Sequence, residues 1–245
     1  MPNKELMTIN QASGILGISI DTLRRWDKSG KLPAIRPKSS GYRYYSGDLL
    51  AELMPRLDIY KLVLRWAGSK TATEPLSDFY CSNSSIFQAR LARLESELIR
   101  SGALAGNISL PASIIGEIGN NAYDHNLGNW PDIPGVFFIY NINQRQAAIA
   151  DRGQGVLATL KKVRPGLKND QDGLRTAFTE IISGRAPENR GNGLKFVRKI
   201  VMDKKYDLLF KSGRAELRIN KKSHGLNITE AKISINGCLA LIKFC

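Results

Sequence analysis

Apolar residues recur at helical spacing from the start of the chain: Ile9, Ala12, Ile15 and Leu16 follow Thr8, a good capping residue, and Gly17 stops the run. A second helix starts at once, capped by Ser19 or Asp21, with Ile20, Leu23 and Trp26 on its apolar stripe and Arg24, Arg25 and Lys28 projecting elsewhere. Two short helices joined by a Gly-containing turn form a helix-turn-helix candidate. The stretch KLPAIRPKSSGYRYYSGDLLAEL then reads as a hairpin. Ile35 and Arg36 lie on one arm and Tyr42 to Tyr45 on the other, about a Ser-Ser-Gly tip, before Ser46 or Asp48 opens a third helix.

Residues 67–84 are small, polar and Pro-containing, the composition of a connector. From Ser85 the series Ile86, Ala89, Leu91, Leu94, Leu98 predicts an amphipathic helix to about Arg100, and a further helix follows Pro111 with Ile114, Ile115, Ile118 and Ala122 along it. VFFIYNI and QAAIAD read as two strands, and the chain continues as loop, helix and strand to ISINGCLALIKF. The expected class is therefore α+β. A helical unit spans 1–66, a linker 67–84, and a mixed helix-and-strand domain 85–245, with no internal repeat.

Composition narrows the function classes. With 245 residues, 42% apolar and 24% charged, the chain has an ordinary globular make-up, and no apolar run nears the roughly 20 residues that span a bilayer, so no membrane role is expected. MPNKELMTINQ lacks the pattern of a secretory signal, and a cytoplasmic location is expected. Cys81, Cys238 and Cys245 are scattered without a CxxC, which argues against a zinc site. A formal charge of +14 favours a polyanionic partner. Residues 1–66 hold eleven Lys or Arg against six Asp or Glu, with Lys31, Arg36, Lys38 and Arg43 around the hairpin. Lys195 to Lys222 holds ten against three, either a second nucleic-acid surface or a solvated face.

The first region has a specific order: helix, the turn Gly17-Ile18-Ser19, a helix carrying Thr22, Leu23, Arg24 and Trp26, then Gly30-Lys31-Leu32 and a wing ending Tyr42-Arg43-Tyr44-Tyr45. It resembles the winged helix-turn-helix of the MerR and excisionase families. The resemblance implies double-stranded DNA as partner, the second helix in the major groove and the wing on the backbone. The candidate DNA contacts are Thr22, Arg24, Arg25 and Lys28 on the helix and Arg36, Lys38, Arg43 and Tyr44 around the wing. MerR-type proteins dimerise through a long coiled helix; none directly follows this unit, and helix 85–100 is the candidate element for a homodimer.

Three spaced elements mark the second region. Glu117, Asn121 and Asp124 share one helix face, a poor arrangement for burial unless those groups meet a ligand. Asp151-Arg152-Gly153-Gln154-Gly155 places a carboxylate at a strand end before a glycine turn. Arg190-Gly191-Asn192-Gly193-Leu194 opens the helix Lys195 to Met202, whose N-terminus is available to phosphate.

In this order the elements resemble the GHKL (histidine kinase-like, Bergerat-fold) superfamily of gyrase-type ATPases, chaperones and kinases, over residues 85–245. The resemblance implies an α/β sandwich with a mixed sheet and helices on one face, and ATP with Mg²⁺ as cofactors. It implies Asn121 as Mg²⁺ ligand, Glu117 as the residue that activates water, and Asp151 as acceptor from the adenine amino group. Gly153 and Gly155 would shape the base pocket. Gly191 and Gly193, flanked by Arg190 and Leu194, would face the phosphates, beside Asp124, and residues 156–190 would form a lid. Gly237-Cys238 departs from the Gly-Thr of many members, and Arg190 from their small residue.

Neither His125, inside the Mg²⁺ helix, nor His224, in a Lys-rich turn, is placed to accept a phosphoryl group, which argues against an autokinase. The expected function is an ATP-binding transcriptional regulator whose occupancy, or slow hydrolysis, modulates DNA or partner binding. The alternatives are a serine/threonine kinase or switch of the anti-sigma-factor type acting on a partner protein, and a regulatory component of a phage-defence or toxin-antitoxin operon.

Overall fold

The computed structural model describes residues 5–16, 18–37, 41–102, 109–181, 192–220 and 225–244. The chain begins with β1 (Leu6–Thr8), α1 (Ile9–Leu16) and α2 (Ile20–Lys28), the last capped by Ser19, whose hydroxyl accepts from the Thr22 amide at 3.1 Å. Then come β2 (Tyr44–Ser46), α3 (Gly47–Leu53) and α4 (Ile59–Gly68), capped by Asp58. The sequence reading missed β1. Tyr44 exchanges backbone hydrogen bonds with Ile35, but β2 forms its ladder with β1, in the register Thr8↔Tyr44. Ala12, Leu16, Leu23, Leu32, Tyr45 and Leu50 are buried at the centre of this unit.

The second region comprises β3 (Tyr80–Cys81), α5 (Ser84–Ser101), α6 (Ser109–Asn126), β4 (Val136–Asn141), β5 (Gln146–Asp151) and α7 (Gly155–Lys161). It continues with α8 (Asp170–Thr179), α9 (Gly193–Asp203), β6 (Asp207–Ser212), β7 (Ala215–Ile219), β8 (Asn227–Glu230) and β9 (Cys238–Lys243). The strands form one sheet in the order β3-β4-β5-β9-β6-β7-β8. The expected helices α5 and α6 and strands β4 and β5 are present.

The sheet departs from expectation in two respects. It is not mixed: every paired neighbour is antiparallel, because hairpins make β4–β5 and β6–β7 and β9 returns between β5 and β6. Helices also lie on both faces. Val136, Phe138, Ile149, Phe210 and Ile242 point into a core shared with α5, α6, α8 and α9. The alternate residues Phe137, Ile139, Ala148, Ala150 and Leu239 point into a second core, shared with α4 and the N-terminal unit. The uninterrupted apolar run of β4 is thus the mark of a strand buried on both sides, and α4 is the helix that covers the second face. Trp66 meets Phe137 edge-on at 5.8 Å between ring centroids.

Residues 67–84, read as a connector, pack closely: Leu76, Phe79 and Cys81 are buried, and the Trp66 indole donates to the Thr73 carbonyl at 2.9 Å. Polar spacing there hides a few anchoring side chains. Two helices occupy part of 156–190, read as a loop-like lid. Asn169 caps α8 by accepting from the Asp172 amide at 2.8 Å, and Leu174, Ala177 and Phe178 are buried. The helix signal was there in the Asn cap and acidic first turn. No helix among the described residues is long and apolar enough to cross a membrane.

Candidate functional site

The N-terminal unit presents Arg24, Arg25 and Lys28 on the exposed side of α2, while Leu23 anchors the opposite side in the core. Asp21 holds Arg24 in an exposed pair at 2.9 Å, and Thr22 receives a hydrogen bond from Arg25 at 3.2 Å, which orients both guanidiniums along the helix. Such exposed i,i+3 contacts are weak, so phosphate can displace them. Lys31 sits over the Trp26 ring at 3.8 Å. Lys38 lies outside the described residues.

Asp27, which the sequence reading passed over, organises the wing. Its carboxylate accepts from the Ala34 amide at 3.0 Å and from Arg43 Nε at 2.8 Å, and it also pairs with Arg36. Against the upward push of burial, the Ala34 amide and the guanidiniums of Arg43 and Arg36 pull its pKa down to about 2. Arg36 and Arg43 are therefore wing supports as well as candidate DNA contacts. Tyr44 is half-buried, with its backbone bound to Ile35.

Asp27→Ala is expected to weaken DNA binding about tenfold although it raises the net charge by one. The wing would lose its anchor and leave two cations near one another. A surface acting by charge alone would instead gain affinity, so anisotropy titration of a duplex selected by the wild-type chain separates the two.

In the second region α6 meets both glycine turns. Toward its middle, a Cβ on Gly193 would lie 2.6 Å from Glu117 Oε2 and 3.4 Å from Asn121 Nδ2, so glycine lets α9 start against those two side chains without displacing the Glu117 carboxylate. At its end, the buried Asn126 accepts from the Gln154 amide at 2.8 Å and donates to the Ala122 carbonyl at 2.8 Å, and a Cβ on Gly153 would collide with its amide. Asn126 was not foreseen; a polar residue five positions beyond Asn121 gave no periodic signal. Asp124 is exposed on the same helix, and Leu194 is half-buried. Arg190 and Gly191 lie outside the described residues. From 117 to 126 the helix axis runs about 13 Å at 1.5 Å per residue.

The carboxylate of Asp151 is buried between two turns, accepting from the Gly153 amide at 2.8 Å and the Cys238 amide at 3.2 Å. Burial pushes its pKa up to about 7, with the two amides pulling the other way. Gly237, with φ +69°, lies so close to Asp151 that no side chain fits. Cys238, where a hydroxyl was looked for, places its sulfur 3.7 Å from Ser212 Oγ. A cavity of about 310 Å³ opens between the turns, lined by Gly155, Lys161, Asp170, Ser212, Asn236 and Gly237 among others. No group of three or more His, Cys, Asp or Glu among the described residues could hold a metal ion. The side-chain atoms nearest Gly193 are Glu117 Oε2 and Asn121 Nδ2, a set that suits Mg²⁺ only with the Asn121 amide turned to present its oxygen and further oxygens from phosphate or water.

Comparison with known proteins bears on the N-terminal unit. The profile of the MerR family regulatory protein matches residues 8–45, which makes this segment a MerR-family helix-turn-helix and implies DNA as a partner. The chain also shares 43% identity over 47 residues with the type II methyltransferase M.Eco47II of Escherichia coli. That stretch is 19% of this chain and spans about 11% of the length of the methyltransferase.

Proposed function

We propose that the chain is a DNA-binding regulator whose second region binds ATP with Mg²⁺, and that nucleotide occupancy modulates DNA binding. The supporting observation is that one helix, α6, sets Glu117 and Asn121 against Gly193 and, about 8–13 Å along its axis, Asn126 against the Asp151 turn. An extended ligand with a base at one end and phosphates at the other matches that separation. Asp151 accepts from the adenine amino group, Asn121 offers its side-chain oxygen to the ion, and the α9 N-terminus faces the phosphates. Mg²⁺ supplies charge neutralisation of the phosphates. The 47 residues shared with the methyltransferase are at the lower limit of a domain, so methyl transfer is not carried over.

Glu117 is the group that polarises an attacking water. In Glu117→Gln, calorimetry is expected to give an ATP affinity in the presence of Mg²⁺ within about threefold of wild type, while phosphate release falls at least about a hundredfold. Absence of any heat with the wild-type chain would remove the nucleotide from the proposal. Label appearing on a second protein instead of as free phosphate would turn the reading toward a kinase.

A further inference from the structure

The residue after Asp151 points the other way across the sheet. Arg152 is fully buried, donates to the carbonyls of Trp66 (2.5 Å), Ala67 (3.2 Å) and Ser69 (2.9 Å), and pairs with Asp132. Trp66 and Ala67 belong to the last turn of α4, where carbonyls lack intrahelical partners and the helix dipole is negative. The second turn reaches the same place: the Asn236 amide donates to the Ala67 carbonyl at 3.0 Å, and Gly68 sits against Ile233 and Ser234. With the Cys238 amide on Asp151, the contacts close a ring from Asp151 through Arg152, Ala67, Asn236 and Cys238 back to Asp151. The 310 Å³ cavity between the two turns gives them room to shift.

At its other side α4 belongs to the DNA-binding unit. Ile59, Leu62 and Val63 share a core with Leu23, Tyr45, Leu50 and Met54, and Arg65 donates to the Ser13 carbonyl of α1 at 3.4 Å. A rigid helix of ten residues therefore has one end fixed by the two turns around the carboxylate and its flank fixed to the helix-turn-helix.

We propose that Arg152 is the positioning residue that couples the Asp151 site to the DNA-binding unit, by holding the C-terminus of α4 in register with both turns. The proposal rests on the reading that Asp151 takes the base of a nucleotide. A ligand on Asp151 competes with the Gly153 and Cys238 amides, shifts the ring, and moves α4 against α1 and α2. Coupling of this kind is reciprocal.

The test uses the full chain, a duplex it selects, and ATP with Mg²⁺. In wild type, saturating nucleotide is expected to change DNA affinity at least about fivefold, and DNA to change ATP affinity by the same factor. Arg152→Lys keeps the charge but loses the planar fork. It should bind ATP alone and DNA alone within about threefold of wild type while both linked changes fall below about twofold. Asp132→Asn, which alters the pair from its partly exposed side, should reduce the linkage in the same sense and serves as the deciding variant should Arg152→Lys not fold. Full linkage retained in both variants overturns the proposal and leaves the nucleotide site standing. Wild-type ATP binding without any effect on DNA overturns the coupling alone, whereas no ATP binding at all removes the underlying reading together with it.

Discussion

Arg152→Met is expected to lower the thermal midpoint of the chain by roughly 10 °C. Leaving a buried hydrogen-bonding group without its partner costs about 1–3 kcal/mol, and each kcal/mol moves the midpoint of a chain this size by about 2–4 °C. The carbonyls of Trp66 and Ser69 lose the guanidinium at the same time, while that of Ala67 keeps the Asn236 amide, and Met supplies no donor in its place. Arg93 is the internal comparison. Its pair with Glu97 is at 2.9 Å, but its side chain is 75% exposed, and Arg93→Ala should shift the midpoint by no more than about a degree. Scanning calorimetry of both variants decides the matter. Equal midpoints would mean that the buried guanidinium is no more important to the fold than a surface one.

The second large effect concerns pH. Asp151 titrates near 7 when buried, against 3.8 for an ordinary aspartate. A carboxyl whose pKa is raised by folding binds more protons folded than unfolded, so the contribution of Asp151 to stability is fully present below about 4 and is lost as pH rises through 7. The span corresponds to a loss on the order of 4 kcal/mol. Denaturant titrations of the unliganded chain between these limits should show the decline, and Asp151→Asn should flatten it. Asp27 acts with the opposite sign and elsewhere: its lowered pKa contributes stability that is present above about 4 and lost as pH falls toward 2.

In the proposed function ligand binding depends on the same carboxylate. On the proposed reading the ionised form is the one that accepts from an exocyclic amine, in competition with the two backbone amides it holds in the unliganded chain. The affinity for adenosine, which has no phosphate to titrate, should fall about tenfold per pH unit below 7. Asp151→Asn should bind adenosine at least about a hundredfold more weakly and with no such slope. A flat adenosine isotherm series across this range in the wild-type chain would separate Asp151 from base recognition.

Local chemistry was enough to mark many of the helices. Apolar residues three and four apart located α1, α2, α5 and α6, Ser19 located the start of α2, and the basic residues of α2 stood out because Leu23 and Trp26 fixed which side was buried. The turns at Asp151 and Gly193 were visible for a similarly local reason: glycine permits backbone conformations and close approaches that other residues resist, and so marks a turn beside a carboxylate or a helix start. What depended on distant residues was invisible. Asp27 looks like one more surface charge until Ala34, Arg36 and Arg43 fold back onto it. Asn126 has no meaning until the Gly153 turn arrives at its amide.

Residues 67–84 read as a linker because their few anchors, Leu76, Phe79 and Cys81, are spaced among polar neighbours, and only the sheet reveals what they fasten. Arg152 stands between Asp151 and Gly153 in a glycine turn, where the sequence reading assigned it nothing; strand alternation and the arrival of α4 turn it into a buried clamp. The chain alone determined its helical periodicities, its basic recognition helix and its glycine turns, because those follow from neighbours within a few residues. The antiparallel order of the sheet, the covering of both its faces and the ring around Asp151 were decided by tertiary structure, since each requires groups from separate segments to satisfy one another's buried polar atoms.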